Sequence, residues 1–197
     1  PKVLHGYVWQ LFTYMWLHAV DRVGHIAFNL LALYFFGTVV EQELGIRRFL
    51  RGYFVCGVVA GLAVVLVDVI GAAIAADGVA FMTSIATHST PVVGASGAIM
   101  GIIGGFCWLN WDRWISLFIT RVKGKHLVLV FLAIDIVRFL LGQGIAITAH
   151  VAGLGFGLAW FSGWGNPRVL YLKLKLRWVR RRLRVVNGGR DDRNYMN

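Results

Sequence analysis

Between Gly78 and Trp111 the chain carries no Asp, Glu, Lys or Arg. Two further stretches are nearly as bare: Gly52 to Ala76 holds Asp68 as its single charge, and Ile145 to Trp164 holds none. In water such runs would have to be buried. A chain of 197 residues that is 58% hydrophobic, with only nine acids, has too little polar surface to hide them in a soluble core. Runs approaching the ~20 residues that cross a bilayer recur along the whole length, so a cleaved leader does not account for them. The fold class is therefore an all-α polytopic membrane protein.

The net charge of +11 invites a nucleic-acid reading. Its distribution excludes one. Ten of the 20 Lys and Arg lie between Arg168 and Arg193, after the last apolar run. Arg47, Arg48, Arg51, Arg113, Arg121, Lys123 and Lys125 fill two short connections. This is the clustering of positive charge in cytoplasmic loops. Cys56 and Cys107 both fall in apolar runs, where cysteine packs as a small hydrophobe.

Three regions follow: an aromatic, interfacial first outer loop over 1–24, a transmembrane core over 25–165, and a basic tail over 166–197. In the core, the run from His25 reaches charge at Glu41, and "EQELGIRR" reads as a polar turn before the run from Gly52. Residues from Asp77 to Val93, with Thr83, Ser84, His88 and Pro91 among them, read as a loop. A helix is expected from about Gly94 to Trp108, where "NWDRW" turns the chain, another near His126–Leu141, and the last over Ile145–Trp164. On the helix near His126–Leu141, Asp135 and Arg138 are three apart and face one another as a candidate pair. In the tail "LYLKLKLRW" alternates, whereas Arg177, Arg180, Arg181 and Arg184 keep helical spacing. The tail is expected to touch acidic lipid headgroups, with a solvated basic tail as the alternative.

With the basic connections placed inside, five spanning helices bring His25, Ser96 and His150 to the same outer face. Ser96 alone, between Gly94 and Gly97, has packing as its simpler explanation, because Gly94, Gly97, Gly101 and Gly104 make a stripe that lets backbones approach. His150 changes this. Gly153 and Gly157 give its helix a matching stripe, so the two helices can close until Ser96 and His150 reach hydrogen-bonding distance. A histidine that takes the serine proton makes the hydroxyl a nucleophile. His25 and Asn29 are four apart on one helix face and both can donate hydrogen bonds to a developing oxyanion, alongside the Ser96 backbone N–H at a helix start. The simpler roles are an interfacial cap for His25 and an interhelical bond for Asn29. A metal held by His18, His25 and His150 is disfavoured by the spacing and by the lack of nearby acids.

Taken together, "WQLFTYMWLH", "GHIAFNLLALYFFG", "EQELGIRRFL", "GASGAIMG" and "AHVAGLGFG" resemble the rhomboid family of intramembrane serine proteases, in the family's order, over most of residues 7 to 160. The resemblance implies a six-helix bundle around a water-filled cavity open to the outer side. Five of its helices would lie in this chain and a sixth upstream of Pro1. It implies an endopeptidase with Ser96 as nucleophile and His150 as general base, a dyad without an acidic third member. His25, Asn29 and the Ser96 N–H would form the oxyanion hole. Gly94, Gly97, Gly101, Gly153 and Gly157 would be packing glycines. Substrates would be transmembrane segments of other proteins, with no metal, no cofactor and no nucleic acid. The location would be a cell membrane, with the active site facing out. Two departures stand out: six residues separate His18 from His25, more than is usual, and Trp9-Gln10 replaces the family's Trp-Arg. A catalytically inactive rhomboid-like protein that binds membrane clients is the main alternative, and a small transporter the third.

Overall fold

The computed structural model describes residues 2–18, 23–75, 92–117, 120–142, 146–163, 169, 171–172 and 174–179. Of the loop expected from Asp77 to Val93, residues 77–91 lie outside them, as do the arginines from Arg180 onward. The chain divides into two units, Pro1–Ser162 and Gly163–Asn197.

The first unit opens with short helical turns: a 3-10 turn over Lys2–His5, α1 over Gln10–Thr13 and a second 3-10 turn over Tyr14–Trp16. Trp9, Phe12 and Trp16 lie exposed, while Tyr14 and Met15 turn inward. This split suits a segment lying along a bilayer surface, where amphipathic rings are at home. A continuous helical stretch follows, made of α2 (Val23–Ala32), a π-helical turn (Leu33–Gly37) and α3 (Thr38–Leu44). In that widened turn Phe36 packs edge-on against Phe106 and Phe131.

α4 (Ile46–Ala75) starts earlier than its apolar run. "EQELGIRR" is not a loop: α3 runs to Leu44, Gly45 alone makes the break at φ 80°, and Arg47, Arg48 and Arg51 already belong to α4. Only glycine takes that backbone conformation without strain, so one residue suffices to redirect the chain. Across α4 the large side chains Leu62, Leu66, Val67, Ile70 and Ile74 are exposed, and the small ones Gly52, Cys56, Gly57, Ala60 and Gly61 are buried. Small-inward and large-outward is how helices pack where lipid, not water, is the surroundings.

α5 (Ser96–Leu109) is the centre, buried at every residue from Gly97 to Cys107. It packs most closely on α7 (Ile147–Phe161) and on α4. Between α5 and α6 (Gly124–Leu140) the chain forms an antiparallel hairpin, β1 (Trp114–Leu117) with β2 (Thr120–Lys123), in the register Trp114↔Lys123 and Ile115↔Val122. The sequence reading had only a turn there. Ile115 and Val122 pack against the core. Lys125 pairs with Asp112 at 2.8 Å, and that bond holds the Asp112 carboxyl below its ordinary range.

The stretches Gly24–Leu44 and Ile46–Ile74 are long and apolar enough to cross a membrane. Ser96–Leu109 and Ile147–Phe161 are shorter apolar helices. At 14 residues α5 rises only about 21 Å, against about 30 Å of hydrocarbon. A helix wrapped by protein need not match the lipid. In the second unit, residues 171–172 and 174–179 are helical, and Lys175 Nζ lies 6.0 Å from the Tyr171 ring centre. There the helical period prevails over the alternation.

Candidate active site

Ser96 opens α5 and His150 lies in the first turn of α7. Their depth is set by the glycines beneath them. A methyl group on Gly153 would overlap the Gly97 carbonyl, and one on Gly157 would overlap the Gly101 carbonyl. Gly104 likewise meets the backbone of α7 at Leu154 and Leu158. On the other side of α5, Gly97 faces Ala60 and Gly101 faces Cys56, whose thiol is free and buried. Backbones this close bring the two helix starts together, and His150 Nε2 stands 2.8 Å from Ser96 Oγ.

The other ring nitrogen of His150 is also engaged. Nδ1 lies 3.0 Å from both carboxylate oxygens of Asp135 on α6. Asp135 is 4% exposed and His150 8%. Nδ1 therefore donates to the carboxylate, which leaves Nε2 as acceptor for the serine hydroxyl. The expectations are a dyad without an acidic third member and an Asp135 paired with Arg138; the carboxylate reaches across to His150 on α7 instead. Burying the acid is tolerable because a hydrogen-bonded partner awaits it.

His25 and Asn29 project from α2 toward the approach to Ser96. Gly94, at φ 118°, sits beside them: a Cβ there would lie 3.2 Å from His25 Cε1 and 4.0 Å from Asn29 Nδ2. Unlike Gly97, Gly101, Gly153 and Gly157, which make room between helices, Gly94 is demanded by backbone conformation. The Asn29 amide donates to His18 Nε2 at 3.2 Å, and the His18 and His25 rings stand 5.9 Å apart, edge to face. Tyr14 ties the first segment to the site: its hydroxyl donates to the Gly57 carbonyl at 2.8 Å, and its own carbonyl accepts the Gly94 N–H at 3.0 Å. The Ser96 N–H stands at the start of α5, where the first N–H groups of a helix have no intrahelical acceptor. The assembly thus offers a hydroxyl beside a base, and donors grouped around the same helix start.

A rhomboid domain model matches residues 5–164. The chain belongs to the rhomboid family. With two helices long and apolar enough to span, this rhomboid is an integral membrane protein. Rhomboid protease GluP of Bacillus subtilis (strain 168) is 27% identical over 171 residues, 84% of this chain and 28% of the relative. Rhomboid protease GlpG of Enterobacter sp. (strain 638) is 27% identical over 154 residues, covering 77% and 47%. RHOMBOID-like protein 1 of Arabidopsis thaliana is 30% identical over 138 residues, covering 68% and 30%. The rhomboid chain described here thus spans under half the length of each of these relatives.

Of the residues singled out in the sequence, Ser96 and His150 meet directly, and His25 and Asn29 stand by Gly94 at the entrance to α5. Sequence reasoning left His18 without a role and gave Asp135 a different partner. The available signal for Asp135 was its position: an acid in an apolar helix is a functional candidate by default.

Proposed function

We propose that this chain is the catalytic core of an intramembrane serine endopeptidase. Ser96 attacks the scissile carbonyl of a transmembrane substrate, and His150 takes the serine proton and passes it to the leaving amine. Donors from His25, Asn29 and the Ser96 backbone N–H stabilise the oxyanion. The observation that carries this reading is the 2.8 Å contact between His150 Nε2 and Ser96 Oγ at the starts of two closely packed helices. The names of GluP and GlpG as rhomboid proteases support the same reaction class.

In this reading all five main helical segments cross the bilayer. The site opens to the outer side of a cell membrane, and the basic tail rests on acidic headgroups. The substrates are transmembrane segments that unwind near their outer end. The test is cleavage of a transmembrane reporter by the purified protein in detergent and in liposomes, together with fluorophosphonate labelling. Ser96→Ala should abolish both, and His150→Ala should abolish cleavage and strongly slow labelling. Undiminished cleavage in both variants would overturn the assignment of Ser96 and His150, and a wild-type protein that neither cleaves the reporter nor takes the label would favour an inactive client-binding rhomboid.

A further inference from the structure

On a helix whose outward face is apolar, one acid points inward. Among the described residues of α6 only Gly124, Leu127 and Asp135 are buried, while Leu129, Ile134, Ile136, Val137, Phe139 and Leu140 are exposed. Gly124 and Leu127 serve packing near the helix start. Asp135 lies two turns further on and sets both its oxygens 3.0 Å from His150 Nδ1. An unpaired carboxylate at that depth would be costly, and an apolar residue would pack α6 against α7 without the cost.

We propose that Asp135 is a positioning residue for His150, so that the site works as an Asp135–His150–Ser96 relay. This rests on the serine-protease reading above. The carboxylate accepts the Nδ1–H and fixes the tautomer in which the Nε2 lone pair faces Ser96. As Oγ bonds to the substrate carbonyl carbon, the C=O π pair moves to oxygen and the hydroxyl proton moves to Nε2. Asp135 stays ionised and lies against the imidazolium that results. When the tetrahedral species collapses, the C–N bond breaks and the amine takes the proton from Nε2. Nothing crosses to Asp135 at any step.

The test uses the full chain and begins with the wild-type protein cleaving a transmembrane reporter; no cleavage there sinks the protease reading, not this inference. Asp135→Asn keeps size and hydrogen-bonding capacity while removing the charge and the tautomer preference. If Asp135 positions the base, kcat falls about a hundredfold or more, by comparison with the same change in other serine triads. KM should stay within about twofold and the melting temperature near wild type. A kcat loss of less than tenfold overturns the proposal, because a carboxylate that merely anchors α6 is well replaced by an amide. A measurement on wild type covers the case of a variant that does not fold. With ring-15N histidine, and a His150→Gln spectrum to assign the signals, neutral His150 should carry its proton on Nδ1. A proton on Nε2 would overturn the relay even if cleavage is intact.

Discussion

Gly153 of α7 lies so close to the carbonyl of Gly97 on α5 that no methyl group fits between them. Both partners are backbone, so neither can swing aside. Gly153→Ala must part the two helices whose starts carry Ser96 and His150. We expect a stability loss of about 1–3 kcal/mol, the usual range for overpacking, and a loss of cleavage at temperatures where the protein stays folded. Gly155, on the same helix, has nothing within 4 Å of its missing Cβ among the described residues, and Gly155→Ala should leave both properties unchanged. Thermal melting in detergent and reporter cleavage measure the contrast. Equal behaviour of the two variants would rule out the close approach.

Tyr14 should matter for stability more than for chemistry. Its buried hydroxyl bonds the Gly57 carbonyl, whereas it holds Gly94 through its backbone, which substitution does not remove. Tyr14→Phe is expected to cost about 1 kcal/mol, the net worth of one such bond, with kcat within about twofold of wild type. Denaturation in mixed micelles gives the first number and reporter kinetics the second. A large fall in kcat without a stability change would mean that the hydroxyl takes part in the reaction.

Much of this architecture is legible in the sequence because membrane segments declare themselves. Charge-free runs mark helices, and glycine spacing marks the faces that touch. The stripe of Gly97, Gly101, Gly153 and Gly157 can be read at once because glycine has few other uses inside a helix. Helix limits were less legible. Arg47, Arg48 and Arg51 look like a loop by polarity, yet a helix carries them easily at its exposed end, and only the φ of Gly45 says where the break falls. The β1–β2 hairpin was hidden because its strands are four residues each, too short for alternation to rise above the loop signal. Asp135 was visible but its partner was not. Arg138 lies three positions away along the chain and His150 fifteen, and only packing brings α6 and α7 together to choose between them. His18 lay outside any helix, so helical spacing had nothing to say about it.

Gly94 offers a sharper test of the approach to Ser96. At φ 118° any side chain is strained, and a Cβ would press on the His25 ring at 3.2 Å. Gly94→Ala should therefore shift either the chain leading into α5 or His25 itself. The expected result is a kcat reduced about tenfold or more, with fluorophosphonate labelling of Ser96 slowed in parallel. Wild-type labelling and cleavage rates would show that neither the conformation of Gly94 nor the place of His25 matters to the site.

The bond between Asn29 and His18 leads to the last expectation. If Asn29 donates to the oxyanion, its amide must be aimed, and His18 Nε2 at 3.2 Å holds one of its two N–H groups, leaving the other for the substrate. Asn29→Ala should lower kcat by roughly tenfold or more with little change in KM, because the donor acts on charge that exists only in the transition state. His18→Ala should give a smaller loss of the same kind, since Asn29 remains but is no longer held. The double variant should then be no worse than Asn29→Ala alone, as His18 has nothing left to aim. Such non-additivity is the signature of two residues acting through one contact. Losses that multiply would mean that His18 serves the reaction independently of Asn29. Full activity in Asn29→Ala with a lowered melting temperature would assign the pair to helix packing instead.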